Sequence, residues 1–222
     1  MRTYIENKVK NTTRHFKFGN VQVIEDEPIS SDFNIDAVLK AIERVFPSHY
    51  FTNLKGIRIG HLDEFDKRGV NAVYRDSTFY ISNQQDGVSD LMDDIIHEFA
   101  HHLETLYPEI IYSDQALINE FLIKRNQLKY ELQSEGYWVN EYNFDNLKFD
   151  QDFDNFLYKR VGRNMLRLAT ANIFIRPYAS VSLREYFATG FEAYYLGKEN
   201  TLDKISPVLY NKIEQLHNYT TY

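Results

Sequence analysis

Residues 88–107, VSDLMDDIIHEFAHHLETLY, contain the pattern on which the interpretation of this chain depends. Apolar residues recur in this stretch at helical spacing and Pro108 follows it, so it predicts an amphipathic helix that ends before the proline. Each residue of a helix turns by about 100°, which places His101 about 40° from His97. We therefore expect the two histidines to share one face, opposite the apolar side of the helix.

The motif His-Glu-x-x-His at residues 97–101 has the residue types and spacing of a catalytic zinc site. Histidines four residues apart lie on neighbouring turns, and each can reach one Zn²⁺ at about 2.0–2.1 Å. Glu98 projects to one side, where it can take a proton from a zinc-bound water and pass it to the leaving amine of a peptide bond. This chemistry is that of HExxH metallopeptidases. The same motif also arises on solvated helix faces, so a third ligand is needed to define a site.

The helix itself does not supply that third ligand. His102 lies about 140° from His97 around the helix, and we expect it at the surface or in a supporting position behind the site. Glu104 shares the histidine face, but its position seven residues further on puts it about 10 Å from His97 along the helix axis. That separation is too large for one tetrahedral site, so the third ligand must come from another element.

Composition limits both the ligand chemistry and the class of protein. The 222 residues contain no cysteine, which excludes disulfides, thiolate ligands and cysteine nucleophiles. A net charge of −7 without a run of Lys and Arg argues against a general nucleic-acid binder. No apolar stretch approaches the roughly 20 residues of a membrane span. The first residues, MRTYIENKVKNTTRHF, contain no apolar signal-peptide core. Cytoplasmic and phage-particle locations stay open, and so does secretion after removal of a signal peptide.

Short β-prone runs dominate the chain before residue 88 and predict a small, twisted, mostly antiparallel sheet. A helix is predicted among them over residues 30–46, with Ser31 or Asp32 as its N-cap. The first run has Gly19-Asn20 at its centre, which predicts a β-hairpin. The runs are RHFKFGNVQVIED (14–26), GIRIGH (56–61), NAVYRD (71–76) and STFYIS (77–82).

Helical periodicity dominates the chain from residue 88 onwards. The aromatic and acidic stretch 135–155 lacks clear periodicity and is predicted to be an ordered excursion. We expect one α+β domain over residues 1–222, with a sheet-bearing part (1–87) and a helical part (88–222). The predicted helices of the second part cover residues 88–107, 113–132, 156–175, 182–197 and 206–219.

Two glutamates in the predicted helices are candidates for the third ligand. Glu120 follows His101 by 19 positions, a spacing that resembles thermolysin and the metallo-aminopeptidases and would indicate an aminopeptidase-like enzyme. Glu185 is separated from His101 by 83 residues and lies in the segment EYFATGF. Residue types and spacing leave both candidates open.

The second segment resembles the family of the anthrax lethal factor catalytic domain and the related bacterial Pro-Pro endopeptidases. In that family, an HEF-x-H-type helix is followed by a tyrosine and, seven residues later, by a ligand glutamate within E-x-F-A-x-x-F. Tyr178, Glu185 and the segment EYFATGF have this order, and SPVLYNKIEQL is similar to the family's last helix. The matching blocks are short and fall within roughly residues 77–217.

The resemblance implies a zincin-like α+β fold and a zinc-dependent endopeptidase that acts on a peptide or protein. His97, His101 and Glu185 would bind one Zn²⁺ per chain, Glu98 would activate the water, and Tyr178 would donate its hydroxyl to the oxyanion. With Glu185 as the ligand, Glu120 is expected to be a helix-surface charge near Lys124, four residues further on.

Two features depart from the family pattern. The 83 residues between His101 and Glu185 exceed the usual number, and the excursion at 135–155 can hold the surplus. Thr189 stands where lethal factor has an acidic residue. An alternative function is a zincin-fold binding or structural protein, such as a toxin or phage-particle component, with little or no turnover.

Overall fold

The structure is a computed structural model that describes residues 13–29 and 34–220, and its fold class is α+β, as predicted. The strands are β1 (Arg14–Phe18), β2 (Val21–Glu25), β3 (Gly56–Ile59), β4 (Ala72–Arg75) and β5 (Thr78–Ile81). The α-helices are α1 (Ile35–Glu43), α2 (Asp63–Arg68), α3 (Val88–Leu106), α4 (Pro108–Tyr112), α5 (Ala116–Ser134), α6 (Gln151–Asn155), α7 (Arg163–Ala169), α8 (Leu183–Tyr195), α9 (Glu199–Ile205) and α10 (Pro207–His217). Short 3₁₀ turns cover Ser48–Phe51 and Pro177–Ser180, and Phe156–Gly162 is π-helical.

The described chain divides into two compact units. The first contains the described residues up to Leu103 together with Thr220, and the second contains Glu104–Tyr219. The sheet, α1, α2 and most of α3 belong to the first unit, and α4 to α10 belong to the second. The single domain over residues 1–222 stays a prediction.

The five strands form one mixed sheet in the order β1-β2-β3-β5-β4. β1 and β2 form the predicted antiparallel hairpin, and Gly19 in its turn has a φ of 58°, which favours glycine. β4 and β5 are also antiparallel, but β2–β3 and β3–β5 are parallel. The prediction of a mostly antiparallel sheet is therefore wrong. Long connections carrying α1 in one case, and α2 with β4 in the other, permit the parallel pairs.

The apolar face of α3 packs against the sheet through Phe99. This ring is fully buried and makes edge-to-face contacts with Phe79 of β5 at 4.8 Å and Phe18 of β1 at 5.6 Å between ring centroids. Phe46 adds a third such contact at 4.9 Å. Each aromatic pair of this kind stabilises the fold by about 0.5–1.5 kcal/mol beyond area burial. These contacts explain why α3 up to Leu103 belongs to the first unit rather than to a helical part that begins at residue 88.

Buried Arg125 of α5 orders the predicted excursion in the second unit. Its Nη1 donates to the carbonyl oxygen of Ser180 at 2.6 Å, and its Nη2 donates to that of Asn143 at 3.3 Å. Its guanidinium lies 4.0 Å from the ring centroid of Phe153, in cation–π geometry. The excursion at 135–155 is thus an ordered segment, as predicted.

Three details of the predicted helices differ from the structure. The helix predicted over 156–175 is interrupted at Gly162, where φ is 82°, and α7 ends at Ala169. The short helices α2, α4, α6 and α9 were not predicted. Asn34 caps α1 by accepting from the backbone N–H of Ala37 at 3.3 Å, whereas the predicted caps Ser31 and Asp32 lie outside the described residues. Within the described part of the chain, no helix is both long and apolar enough to cross a membrane.

Candidate functional site

His97 and His101 bring their side-chain nitrogens together on one face of α3. The two Nε2 atoms lie 3.1 Å apart, and the ring planes are nearly perpendicular at 87°. Two ligands held at 2.0–2.1 Å by one tetrahedral ion would lie about 3.3 Å apart. The pair therefore fits two positions of a metal site, and the predicted shared face is confirmed.

Burial differs among the residues of the motif. His101 is 6% exposed and Glu98 only 3%, whereas His97 is half-buried. The carboxylate of Glu98 is therefore almost fully removed from water. Glu98 directly follows His97 on α3.

Asp94 lies one turn before His97 on α3, about 60° away from it around the helix axis. Its Oδ2 accepts from Nε2 of Gln85 at 2.9 Å, and the same Nε2 donates to the carbonyl oxygen of Ser82 at 3.0 Å. Burial raises the pKa of Asp94 to about 6. This carboxyl group therefore changes its charge within a pH range in which histidine also titrates.

His102 is fully buried, so of its two expected positions the one at the surface is wrong. Its Nε2 lies 3.0 Å from the carbonyl oxygen of Thr52, which can only accept, so Nε2 carries the hydrogen. Its Nδ1 then accepts from the hydroxyl of Tyr74 at 3.0 Å. Burial lowers the pKa of His102, which favours the neutral imidazole. This histidine links α3 to β4 and to the segment around Thr52 instead of facing solvent.

Glu120 caps the first turn of α10. Its Oε2 accepts from the backbone N–H of Val208 at 2.9 Å, and its Oε1 accepts from the N–H of Leu209 at 3.0 Å and from the hydroxyl of Tyr186 at 2.7 Å. A carboxylate at a helix N-terminus satisfies amides that have no partner inside the helix. In the favoured interpretation Glu120 was expected to be a surface charge near Lys124, and that expectation is wrong.

Lys124 is itself buried and serves a different purpose from the one expected. Its Nζ donates to the carbonyl oxygens of Ile173 at 2.7 Å and Ile205 at 2.6 Å. The start of α10 at Ser206-Pro207 indicated free helix amides, but nothing in the sequence specified that Glu120 would satisfy them.

Glu185 and Tyr178 both lie in the second unit. Glu185 is in the first turn of α8, where its backbone N–H donates to Oγ of the N-cap Ser182 at 3.2 Å. Its side chain is half-buried, and so is that of Tyr178, in the 3₁₀ turn that precedes α8. Thr189 is buried and its hydroxyl donates to the carbonyl oxygen of Glu185 at 2.8 Å, so this hydroxyl is used within α8.

Comparisons with protein-family models, curated proteins and solved structures give no match. The resemblance to the lethal factor and Pro-Pro endopeptidase family therefore stays a prediction.

Proposed function

We propose that the protein is a zinc-dependent endopeptidase with a zincin-like fold, in which His97, His101 and Glu185 bind one Zn²⁺. The observation that carries the proposal is the 3.1 Å separation of the two Nε2 atoms on α3. Two imidazoles and one carboxylate form a ligand set that catalytic zinc sites use, with the fourth position left for water or substrate.

The choice of Glu185 over Glu120 is supported by what each carboxylate does in the second unit. Both oxygens of Glu120 accept hydrogen bonds from the start of α10, and Tyr186 donates a further one. Metal binding by Glu120 would leave those amides without an acceptor, at a cost of about 1–3 kcal/mol for each buried group. This cost disfavours the aminopeptidase-like alternative.

The proposed reaction is hydrolysis of a peptide bond. A bound Zn²⁺ supplies Lewis acidity, which lowers the pKa of water and polarises a carbonyl group. The carboxylate of Glu98 takes a proton from the attacking water while the water oxygen bonds to the carbonyl carbon. Glu98 then gives this proton to the nitrogen as the C–N bond breaks, and it returns to its starting state. The hydroxyl of Tyr178 donates a hydrogen bond to the oxyanion that forms in between.

Substitution of Glu98 by glutamine tests this function. We expect Glu98→Gln to lower the rate of peptide cleavage by about 10²–10⁴-fold, because general base catalysis contributes on that order, while zinc stays bound. Glu109→Gln is the matched control, since it makes the same change at an exposed position of α4. Cleavage is measured by mass spectrometry on a peptide library, and zinc by elemental analysis. Equal cleavage by wild type and Glu98→Gln, or the lack of about one zinc per chain, would contradict the proposal.

A second pair of variants tests the third ligand. We expect Glu185→Gln to weaken zinc binding by at least about tenfold, because a neutral amide replaces a charged ligand. Glu120→Gln should keep the zinc affinity of the wild type. Loss of zinc only in Glu120→Gln would instead favour the aminopeptidase-like arrangement.

A further inference from the structure

A pocket of about 640 Å³ opens in the second unit and is rich in cationic and hydroxyl-bearing side chains. Its walls come from the π-helical segment, α7 and the 3₁₀ turn that contains Tyr178. The polar side chains that line it are Tyr158, Arg163, Asn164, Arg167, Arg176 and Tyr178. The volume is large enough for an amino-acid side chain together with part of the backbone that carries it.

Two of the three arginines in this pocket are not neutralised. Arg163 and Arg167 are exposed and one helical turn apart on α7, and neither makes an ion pair with any described residue. Like charges at this spacing on a helix repel each other. Their placement in one pocket wall therefore costs stability, which an anion bound between them would recover.

Arg176 is held differently from the other two. Its Nη2 makes an ion pair with Oε2 of Glu192, whose side chain is 4% exposed, while 43% of the Arg176 side chain stays exposed. A buried carboxylate of this kind fixes the guanidinium at the pocket wall. Arg176 thus has donors left to face the pocket, because a guanidinium has five N–H groups and one carboxylate cannot use them all.

Two neutral side chains of the pocket, those of Tyr158 and Asn164, are hydrogen-bond donors as well. Burial raises the pKa of Tyr158 to about 12, against the opposing effect of the nearby charges of Arg163 and Arg176. Tyr158 therefore keeps its hydroxyl proton at neutral pH and can donate it. The amide of Asn164 can also donate, and the lining residues within the described part of the chain include no Asp or Glu.

We propose that this pocket binds a carboxylate of the peptide substrate, so that the enzyme selects acidic peptides. Arginine forks match the planar, two-oxygen geometry of a carboxylate and bind it through paired hydrogen bonds. The aromatic rings and Pro177 in the walls suit the apolar stem of a Glu or Asp side chain. This inference rests on the proposed function, because Tyr178 both lines the pocket and is the proposed oxyanion donor. The acidic group therefore lies within a few residues of the bond that is cut.

The test compares peptides that differ only in one carboxylate. The peptides are amidated at the C-terminus and share one sequence, except at a single position that is either Asp or Asn. This position is moved, one residue at a time, across the centre of the peptide. A further neutral peptide has a free C-terminal carboxylate. Binding is measured by fluorescence anisotropy on zinc-loaded Glu98→Gln protein, and cleavage is measured on wild type. We expect Asp at one position to improve binding and kcat/KM by about 10–100-fold over Asn, because charge-assisted hydrogen bonds stabilise a complex by about this factor. A gain with the free C-terminus instead identifies the terminal carboxylate as the group that the pocket binds.

Substitution of the two unpaired arginines connects the preference to the pocket. We expect Arg163→Gln/Arg167→Gln to lower the ratio of kcat/KM for the Asp peptide to kcat/KM for the Asn peptide to within about twofold of one. Lys148→Gln/Arg160→Gln removes the same charge from exposed positions outside the pocket and should keep the preference. Thermal unfolding of each variant verifies that it is folded.

The outcomes separate this proposal from the proposed function. Cleavage of Asp, Asn and free-terminus peptides at equal rates would refute the pocket assignment and leave the peptidase intact. An Asp preference that survives in Arg163→Gln/Arg167→Gln would refute the assignment as well. If no peptide is cut but the Asp preference in binding disappears with the two arginines, the peptidase proposal fails and the carboxylate pocket is supported.

Discussion

Replacement of Gly190 by alanine should destabilise the protein, although helix propensity alone predicts the opposite. Gly190 lies inside α8, and alanine is about 1 kcal/mol more favourable than glycine in a helix interior. A Cβ atom at this position would lie 2.3 Å from Cδ2 and 2.7 Å from Cγ of Leu209 on α10. Carbon atoms in contact normally lie about 3.5–4.0 Å apart, so the added methyl group overlaps its neighbour by more than 1 Å.

Leu209 is fully buried, so its side chain cannot turn into solvent to avoid the added methyl group. The overlap must be relieved by a strained rotamer or by separation of α8 from α10. Overpacking of this kind costs about 1–3 kcal/mol, and an overlap that includes Cγ as well as the end of the side chain belongs at the upper limit. After subtraction of the propensity gain, we expect Gly190→Ala to lower the free energy of unfolding by about 2 kcal/mol.

Urea denaturation of metal-free protein measures this effect, with Gly87→Ala as the control because no atom lies within 4 Å of its added Cβ. In the wild-type background, Leu209→Ala should lower the free energy of unfolding by about 2–5 kcal/mol. In the Gly190→Ala background the decrease should be smaller by at least about 1 kcal/mol, because the new methyl group fills part of the cavity. A Gly190→Ala variant that is more stable than wild type, or a double-mutant cycle with no coupling, would refute the reasoning.

Three further predictions concern polar side chains that are half-buried or buried. Asp94 has a folded-state pKa of about 6, above the value of about 3.9 in an unfolded chain, so its stabilising contribution is present below about pH 4 and is lost as pH rises through about 6. Asp94→Asn should therefore raise the stability of metal-free protein at pH 8 by up to about 3 kcal/mol and leave it unchanged near pH 3, as followed by urea denaturation across pH. Glu120→Gln should lower the thermal stability by about 1–3 kcal/mol, because Gln has one oxygen where Glu has two to accept the amides of α10, and an unchanged melting temperature would contradict this. Arg125→Lys should lower the free energy of unfolding by about 1–3 kcal/mol and increase protease cleavage within residues 135–155, because lysine cannot reproduce the forked donors of arginine. Limited proteolysis at the wild-type rate would exclude the anchoring role of Arg125.

Features that depend on neighbouring residues could be predicted well. The Gly19-Asn20 turn predicted the β1–β2 hairpin, because a left-handed backbone between β-prone runs is a local requirement. The apolar face of α3 and the shared face of His97 and His101 followed from the helical period. Predictions for the start and end of the main helices were close for the same reason.

Features that depend on partners distant in sequence could not be predicted. His102 has the sequence position of an outer helix residue, yet Tyr74 and Thr52 meet both of its nitrogens in the core. Glu120 appeared to be a surface charge, yet α10 brings unsatisfied amides to it from 88 positions away. The parallel strand pairs likewise depend on how long connections cross the sheet, which no local pattern specifies.

The geometry of the histidine pair follows from the sequence alone, because the 100° turn of a helix fixes the placement of residues four apart. The sequence also placed Arg163 and Arg167 at the same spacing one helical turn apart. Only the tertiary structure decided that Arg176 and Tyr178 join those arginines in one pocket, and that Glu120 caps α10. The physical reason is that backbone geometry acts over a few residues, whereas burial and hydrogen-bond satisfaction are decided by the packing of the whole unit.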